Sequence, residues 1–410
     1  MPRPTPDVVR LFAARALRMF AYGLFSIVLV LHLTAAGLDG KAVGLLLTLT
    51  LLGDTAVSFV LTTRADRWGR RRTLLLGAAL VAGAGAAFAA STSFAVLLVA
   101  AIAGVVSPSG NEVGPFLAVE QAALSQELPA EARTGVFAWY QLAGSLATAA
   151  GALAGGALAE GLQRRGLAPL ESYQAVMAAY GVAGLLLGAL FAGLSAKVEA
   201  PARAAPSGAA APWLGLHRSR GVVARLSGLF AVDAFAGGFV VQSFVAWWFH
   251  VRFGLGPAAL GGIFLGANVL AGLSALSAAA LARRFGLVNT MVFTHLPSNV
   301  LLAAVPFMPT LPLAIGVLLV RFSISQMDVP TRQAFTMAVV APDERSAAAG
   351  VTGIARTVGA ALSPLAAGPL FAVPALASLP FVLSGALKVA YDLALWRSFR
   401  AHGGGAPPAP

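Results

Sequence analysis

Arg64-Ala65-Asp66-Arg67-Trp68-Gly69-Arg70-Arg71-Arg72 puts five arginines and one acid into nine residues, in a chain whose charged residues total only 11%. On either side the sequence turns oily, and residues 42–53 and 73–90 carry no ionisable group. A basic cluster between two long apolar runs is a short loop at a membrane face, where cations stay in water beside anionic headgroups. Composition agrees. Apolar residues make up 58% of the chain, against roughly 45–50% in soluble domains, where charged residues reach about 25%. A soluble chain of 410 residues with so little charge could not cover its surface with polar groups.

Outward from that loop, further uncharged runs follow, among them Ala78–Ala90, Leu97–Val106 and Val182–Ala192. A bilayer core about 30 Å thick needs roughly 20 apolar residues per helix. The runs are continuous rather than alternating, which excludes a β-barrel. Twelve spans are predicted, at 13–36, 41–63, 73–91, 94–118, 134–158, 173–195, 222–249, 257–282, 287–308, 310–333, 346–372 and 379–397. With an even count, one side receives Arg3, Arg10, Arg15 and Arg18, the quoted loop, Lys197 to Arg225, Arg283, Arg284, Arg397 and Arg400. The other side receives Lys41, Arg164, Arg165 and Arg252, so both termini are expected in the cytoplasm. Met1–Arg18 is basic but runs on without a cleavage site, and is read as the start of a retained first span. The net charge of +12 belongs to these loops and calls for no nucleic acid. With no cysteine, disulfides and thiolate chemistry are excluded.

Residues 196–221, with Pro201, Pro206 and Pro212, read as a cytoplasmic linker, and 398–410 as a Gly/Pro-rich disordered tail. The two halves, 1–195 and 222–397, look like repeats. Gly44, Arg67, Gly69 and Thr73 match Gly261, Arg284, Gly286 and Thr290 at one fixed offset, as Trp68 matches Phe285. Pro115 and Gly144 match Pro330 and Gly359 at nearly the same spacing. The expected fold is an all-α membrane protein of twelve helices in two pseudo-symmetric six-helix halves.

The loop between the second and third spans resembles the signature of the major facilitator superfamily, Asp-Arg-x-Gly-Arg followed by Arg or Lys. A glycine usual four positions before the acid is Thr62 here. The resemblance implies a conformational latch made of Asp66, Arg67, Gly69, Arg70 and Arg71, with Asp66 reaching the helix ends of the other half. In the second half, Ala282-Arg283-Arg284-Phe285-Gly286 lacks the acid. The fifth span carries Gly144, Gly151, Gly155 and Gly156; the last three resemble the Gly-Pro-x-x-Gly-Gly pattern of proton antiporters, with Ala152 in place of proline. Gly359, Ser363, Pro364 and Gly368 echo it in the eleventh span. Close helix packing is the alternative reading of the same small residues. The arginine motif of antiporters in the fourth span is absent.

Ionisable groups inside a membrane are costly and point to function. Asp54, Glu112 and Asp233 are the candidates for proton coupling. On the tenth span Arg321, Ser325, Asp328 and Arg332 step by four, three and four, which makes one polar stripe, with Gln326 beside it. In the superfamily, spans one, four, seven and ten line the central cavity, which adds Tyr22, Asn111, Phe235 and, from span eleven, Arg356 to the substrate-binding candidates. Ser107, Ser109, Asn111 and Glu112 lie in the fourth span, which Pro108 and Pro115 break, and a broken helix exposes usable backbone. Structural alternatives remain for Asp328 with Arg332, as a fixed ion pair, and for Arg356, as a brace for an acid. Lys388 and Asp392 read as a lipid-facing pair, His32 and His295 as structural, and Trp247 and Trp248 as an interfacial belt.

The expected function is secondary transport by alternating access: proton-coupled efflux of a small, partly hydrophobic molecule by a monomer in the cell membrane. Uptake of a nutrient or organic anion by symport is the alternative, with Arg321 and Arg356 suited to a carboxylate. A sensor or scaffold would need an output domain that this chain lacks. No nucleophile, metal-ligand set or P-loop points to an enzyme or a nucleotide-driven pump, and no cofactor is expected beyond the proton gradient.

Overall fold

The computed structural model describes residues 5–128, 130–199, 216–341 and 344–400. Most of the predicted linker and of the tail, and the side chain of Asp66, lie outside the described residues. Within them the chain forms α-helices and short 3-10 turns, with no strand. The helices are α1 (Pro6–Ala35), α2 (Gly40–Trp68), α3 (Arg70–Ala90), α4 (Phe94–Ala103), α5 (Phe116–Glu127), α6 (Ala130–Arg164), α7 (Pro169–Ala192), α8 (Arg220–Gly238), α9 (Gln242–Phe253), α10 (Pro257–Phe285), α11 (Leu287–Ala304), α12 (Leu311–Ile324), α13 (Asp328–Val339), α14 (Arg345–Ala372) and α15 (Leu379–Phe399). Starts and stops follow local chemistry. Thr5 caps α1 through Val8 N–H, with Pro6 in the first turn. Asp39 Oδ1 accepts from Ala42 N–H at the start of α2.

Eleven described stretches are long and apolar enough to cross a membrane. The fourth predicted span is the exception. Only Phe94–Ala103 is helical and apolar; residues 104–115 are irregular, and α5 resumes after Pro115. Pro108 and Pro115 remove backbone donors there, and Gly110 and Gly114 take positive φ values of 70° and 81°. The carbonyls freed by the break are met by other elements. Tyr180 donates to Val105 O over 2.8 Å, Tyr22 to Val113 O over 3.2 Å, and Ser243 N–H to Pro108 O over 3.2 Å. The seventh and tenth spans are also interrupted, between α8 and α9 and between α12 and α13. Apolar side chains such as Phe59, Val99 and Leu185 stand exposed, as a lipid-facing surface requires.

The helices fall into two compact units. One holds α1 to α7 together with residues 241–268, that is, α9 and the first part of α10; the other holds α8, the rest of α10, and α11 to α15. This grouping differs from a boundary at the linker. In the first unit Gln242 donates to Ser26 Oγ over 2.9 Å, and Asn268 donates to Gln242 over 3.2 Å. Glu160 Oε2 caps α10 by accepting from Ala258 N–H over 3.0 Å. Small residues allow the approach: a methyl group on Gly151 would lie 1.9 Å from Phe20 O, and one on Gly156 2.0 Å from Pro257 O. In the second unit a methyl group on Gly359 would likewise lie 2.3 Å from Ala231 O.

Candidate functional site

The arginine loop is one tight reversal. Gly69, at φ 100°, ends α2 and opens α3, and its N–H bonds Ala65 O; Gly286, at φ 83°, does the same between α10 and α11 through Ala282 O. Only glycine tolerates these angles, so the two halves share this corner for a steric reason. Arg64 lies over the Trp68 ring, and Arg284 over the Phe285 ring. The free N–H groups of α3 point at Glu199, whose carboxylate accepts from Arg70 N–H (2.6 Å) and Arg71 N–H (3.2 Å). The Arg70 guanidinium is buried and donates to Gln126 Oε1 and Val198 O, while Arg71 bonds Ala192 O. Arg67 is exposed. Glu199 escaped sequence reading because it stands in the linker, and a lone acid there gives no signal.

Two ion clusters are buried, one in each unit. In the first, Arg15 and Arg18 lie on one face of α1, three residues apart, and are buried inside the protein. Arg15 bonds Glu112, Tyr140 O and Gln141; Arg18 bonds Glu112 Oε1 at 3.0 Å and Glu120 through both terminal nitrogens, at 2.5 and 2.8 Å. Tyr140 donates to Glu120. Two arginines meet two carboxylates, so the charge closes. Glu112 sits in the irregular stretch rather than inside a helix, with Asn111 exposed beside it. Asp54, on α2, is half-buried and has Ser58 Oγ at 3.5 Å.

The second cluster gathers around Asp233 on α8. Arg332 Nη1 bridges Asp233 Oδ2 and Asp328 Oδ2, at 3.0 Å each. Lys388 Nζ donates to Asp233 Oδ1 over 2.6 Å. His295 Nδ1 is 2.9 Å from Asp392 Oδ1, and Asn299 donates to Asp392 Oδ2 over 2.9 Å. Lys388 and Asp392 are therefore buried, not lipid-facing, and His295 is not alone. An i, i+4 pair on a last span reads as surface until the neighbouring helices are placed.

The remaining candidates scatter. Tyr22, read as cavity wall, is fully buried with its hydroxyl on Val113 O. Trp248, read as interfacial, packs inside against Phe249 and Phe253. Phe235 packs edge-on against Phe239. Arg321 lies over Phe322, and its Nε has no partner among the described residues. Ser325 is buried, and Gln326 N–H bonds Ser274 Oγ, both in the break between α12 and α13. Arg356 is half-buried and forms no ion pair among the described residues. Gly144 abuts the Arg15 guanidinium and Gly155 abuts Leu24 O. Pro364 lies inside α14, which stays helical across it, and Ser363 Oγ supplies a bond to Ala360 O that the proline cannot. His32 is buried beside Phe88 with both ring nitrogens unpartnered. A groove of about 580 Å³ between α3 and α4 is lined by Ala, Gly, Val and Leu alone, and offers a polar ligand nothing to bind.

Burial raises the proton affinity of Glu344, but bonds from the Ser219 side chain and from the N–H groups of His217, Arg218 and Ser219 outweigh it and hold the carboxyl at about 2. It thereby caps the start of α8.

The family model described as Major Facilitator Superfamily matches residues 11–364. An uncharacterized membrane protein of Saccharomyces cerevisiae, YJR124C, is 31% identical over 417 residues, covering 95% of this chain and 93% of that protein. Among solved structures, a bacterial homolog of the human lysosomal transporter Spinster, inward-facing and unoccupied, aligns with a TM-score of 0.75 at 16% identity over 100% of both chains. A D-xylose–proton symporter aligns with a TM-score of 0.72 at 16% identity, over 95% of this chain and 97% of its own. At such identities the structures speak for the fold alone. The chain belongs to the Major Facilitator Superfamily, and is a multi-pass membrane transporter of a small molecule, not an enzyme.

Proposed function

We propose that the protein exports a small, partly hydrophobic molecule in exchange for protons, by alternating access, from a cell membrane with both termini in the cytoplasm. The observation that carries this reading is the Asp233 cluster: an acid on the seventh span held by cations from two other helices, in surroundings where an ionic change is felt strongly. The antiporter-like glycines of α6 add support for export. A structural neighbour named as a proton symporter supports the proton as coupling ion.

The test starts from a thermal-shift screen on the purified protein to find a ligand. That ligand is then offered to vesicles of opposite orientation with an imposed pH gradient. Export by antiport requires accumulation in inside-out vesicles that are acid inside. Accumulation in right-side-out vesicles driven by inward proton flow overturns it.

One observation favours a second reading, symport of an organic anion. Arg321 and Arg356 are cations without carboxylate partners among the described residues, and a guanidinium in that state suits an anionic cargo. The same screen decides, since organic carboxylates would then dominate the hits and lose their effect in Arg321→Gln.

A further inference from the structure

We infer that the coupling proton is taken up at His295, between Asp392 and Asp233, an inference that deepens and rests on the proton-coupled reading above. The imidazole stands on α11, and its two ring nitrogens face carboxylates on two other helices. Nδ1 is 2.9 Å from Asp392 Oδ1 on α15, and Nε2 is 4.0 Å from Asp233 Oδ1 on α8. Asn299, one turn along α11, holds the other Asp392 oxygen. Nδ1 also lies 3.2 Å from Asn299 Nδ2; the carboxylate, which can only accept, favours the tautomer with hydrogen on Nδ1. Nε2 is left with a lone pair and makes no hydrogen bond among the described residues.

Charge points to the same atom. The bonded cluster holds three carboxylates, Asp233, Asp328 and Asp392, against two cations, Arg332 and Lys388. With a neutral imidazole it is short of one positive charge. A proton added at Nε2 closes the balance. Arg356 on α14 acts on Asp233, and Arg321 on α12 acts on Asp328, at longer range without bonding either. Tyr391, on α15, meets the His295 ring edge-on. Two other acids are less suited: both Asp233 oxygens already accept from cations, and Glu112 is held by Arg15 and Arg18.

Loading is a simple transfer. A proton leaves water for the Nε2 lone pair, and on release it returns to water, with no other bond made or broken. The new N–H faces Asp233 Oδ1, the oxygen that Lys388 occupies. Imidazolium and ammonium then compete for one oxygen, so the tie between α15 and α8 weakens when the proton is aboard. An event on the pair α11 and α15 thereby reaches α8 and, through Arg332, α13.

The experiment uses the full chain in lipid nanodiscs, labelled with ¹⁵N-histidine. Five histidines make the spectrum tractable, and His295→Gln identifies the signal, with His295→Asn in reserve should the first variant fold poorly. The expected result is a ring with one proton at high pH that gains a second as the pH falls. Asp392→Asn should move that transition. Hydrogen exchange over 220–238, corrected for intrinsic rates, should change with the same midpoint in the wild type and not in His295→Gln. A ring that stays neutral, a midpoint indifferent to Asp392→Asn, or exchange in α8 that ignores His295 would each overturn the inference. Should His295 titrate and α8 respond while no ligand crosses a membrane under a pH gradient, the transport reading fails and this proton site stands.

Discussion

Lys388 Nζ donates to Asp233 Oδ1 over 2.6 Å, and both side chains are buried. A cation on the last helix is thereby bound to an acid on the seventh span, across two helices far apart in sequence. Neither charge could stay ionised in that place alone.

Breaking the pair should be costly, and breaking both partners less so. Lys388→Met is expected to destabilise the protein by about 3 kcal/mol, since Asp233 keeps only Arg332. Combined with Asp233→Asn, the loss should fall short of the two single losses together by at least about 1 kcal/mol. Denaturation in mixed micelles measures both; strictly additive losses would mean that the two groups do not interact.

The cluster of the first unit makes a parallel prediction with a different ranking. Glu120→Gln removes the charge and one of the two acceptor oxygens facing Arg18 and should cost about 3–5 kcal/mol. Tyr140→Phe removes one bond to a charged partner and should cost about 1.5–3 kcal/mol. Thermal unfolding of the two variants side by side checks the order.

How much of this was legible in the residues is clear from the same two clusters. The twelve-span pattern, the turn at Gly69 and its echo at Gly286 were readable, because lipid and backbone sterics act on short stretches. Asp233, Asp328 and Arg332 stood out because charges inside apolar runs are rare. Lys388 and Asp392 were misplaced for the opposite reason: near a span end, a charge that snorkels and one that turns inward look alike, and the partners of Arg15 and Arg18 were hidden in the same way. His295 gave no sign of its two carboxylates, which come from helices distant in the chain. The break of span four was signalled by Pro108 and Pro115, but its extent, twelve irregular residues from 104 to 115, depends on tyrosine hydroxyls from α1 and α7.

Replacing Gly69 or Gly286 with alanine should cost about 1–3 kcal/mol each, because both hold φ angles that an L side chain resists. Gly83→Ala is the control. It lies inside α3 with open space where a methyl would go, so it should be neutral or stabilising by up to about 1 kcal/mol. Equal effects at all three positions would remove the steric explanation.

Glu344 predicts a pH dependence. Its carboxyl sits at about 2 in the folded chain, below its ordinary 4.5, so the folded state favours the ionised form. The stability this gives is fully present above about 4.5 and fades as the pH falls toward about 2. Glu344→Gln should therefore be less stable than the wild type at neutral pH, and the difference should shrink on acidification through that window. A gap that persists unchanged in acid would show that charge on Glu344 does not matter.

The most direct measurement compares two kinds of flux in proteoliposomes, for whichever ligand the thermal-shift screen returns. Wild-type protein should move it both by exchange at equal pH and by net transport down a pH gradient. Asp233→Asn should keep exchange and lose net, gradient-driven transport. Gradient-driven transport that survives in Asp233→Asn would contradict a proton-coupled cycle that works through the cluster around this acid.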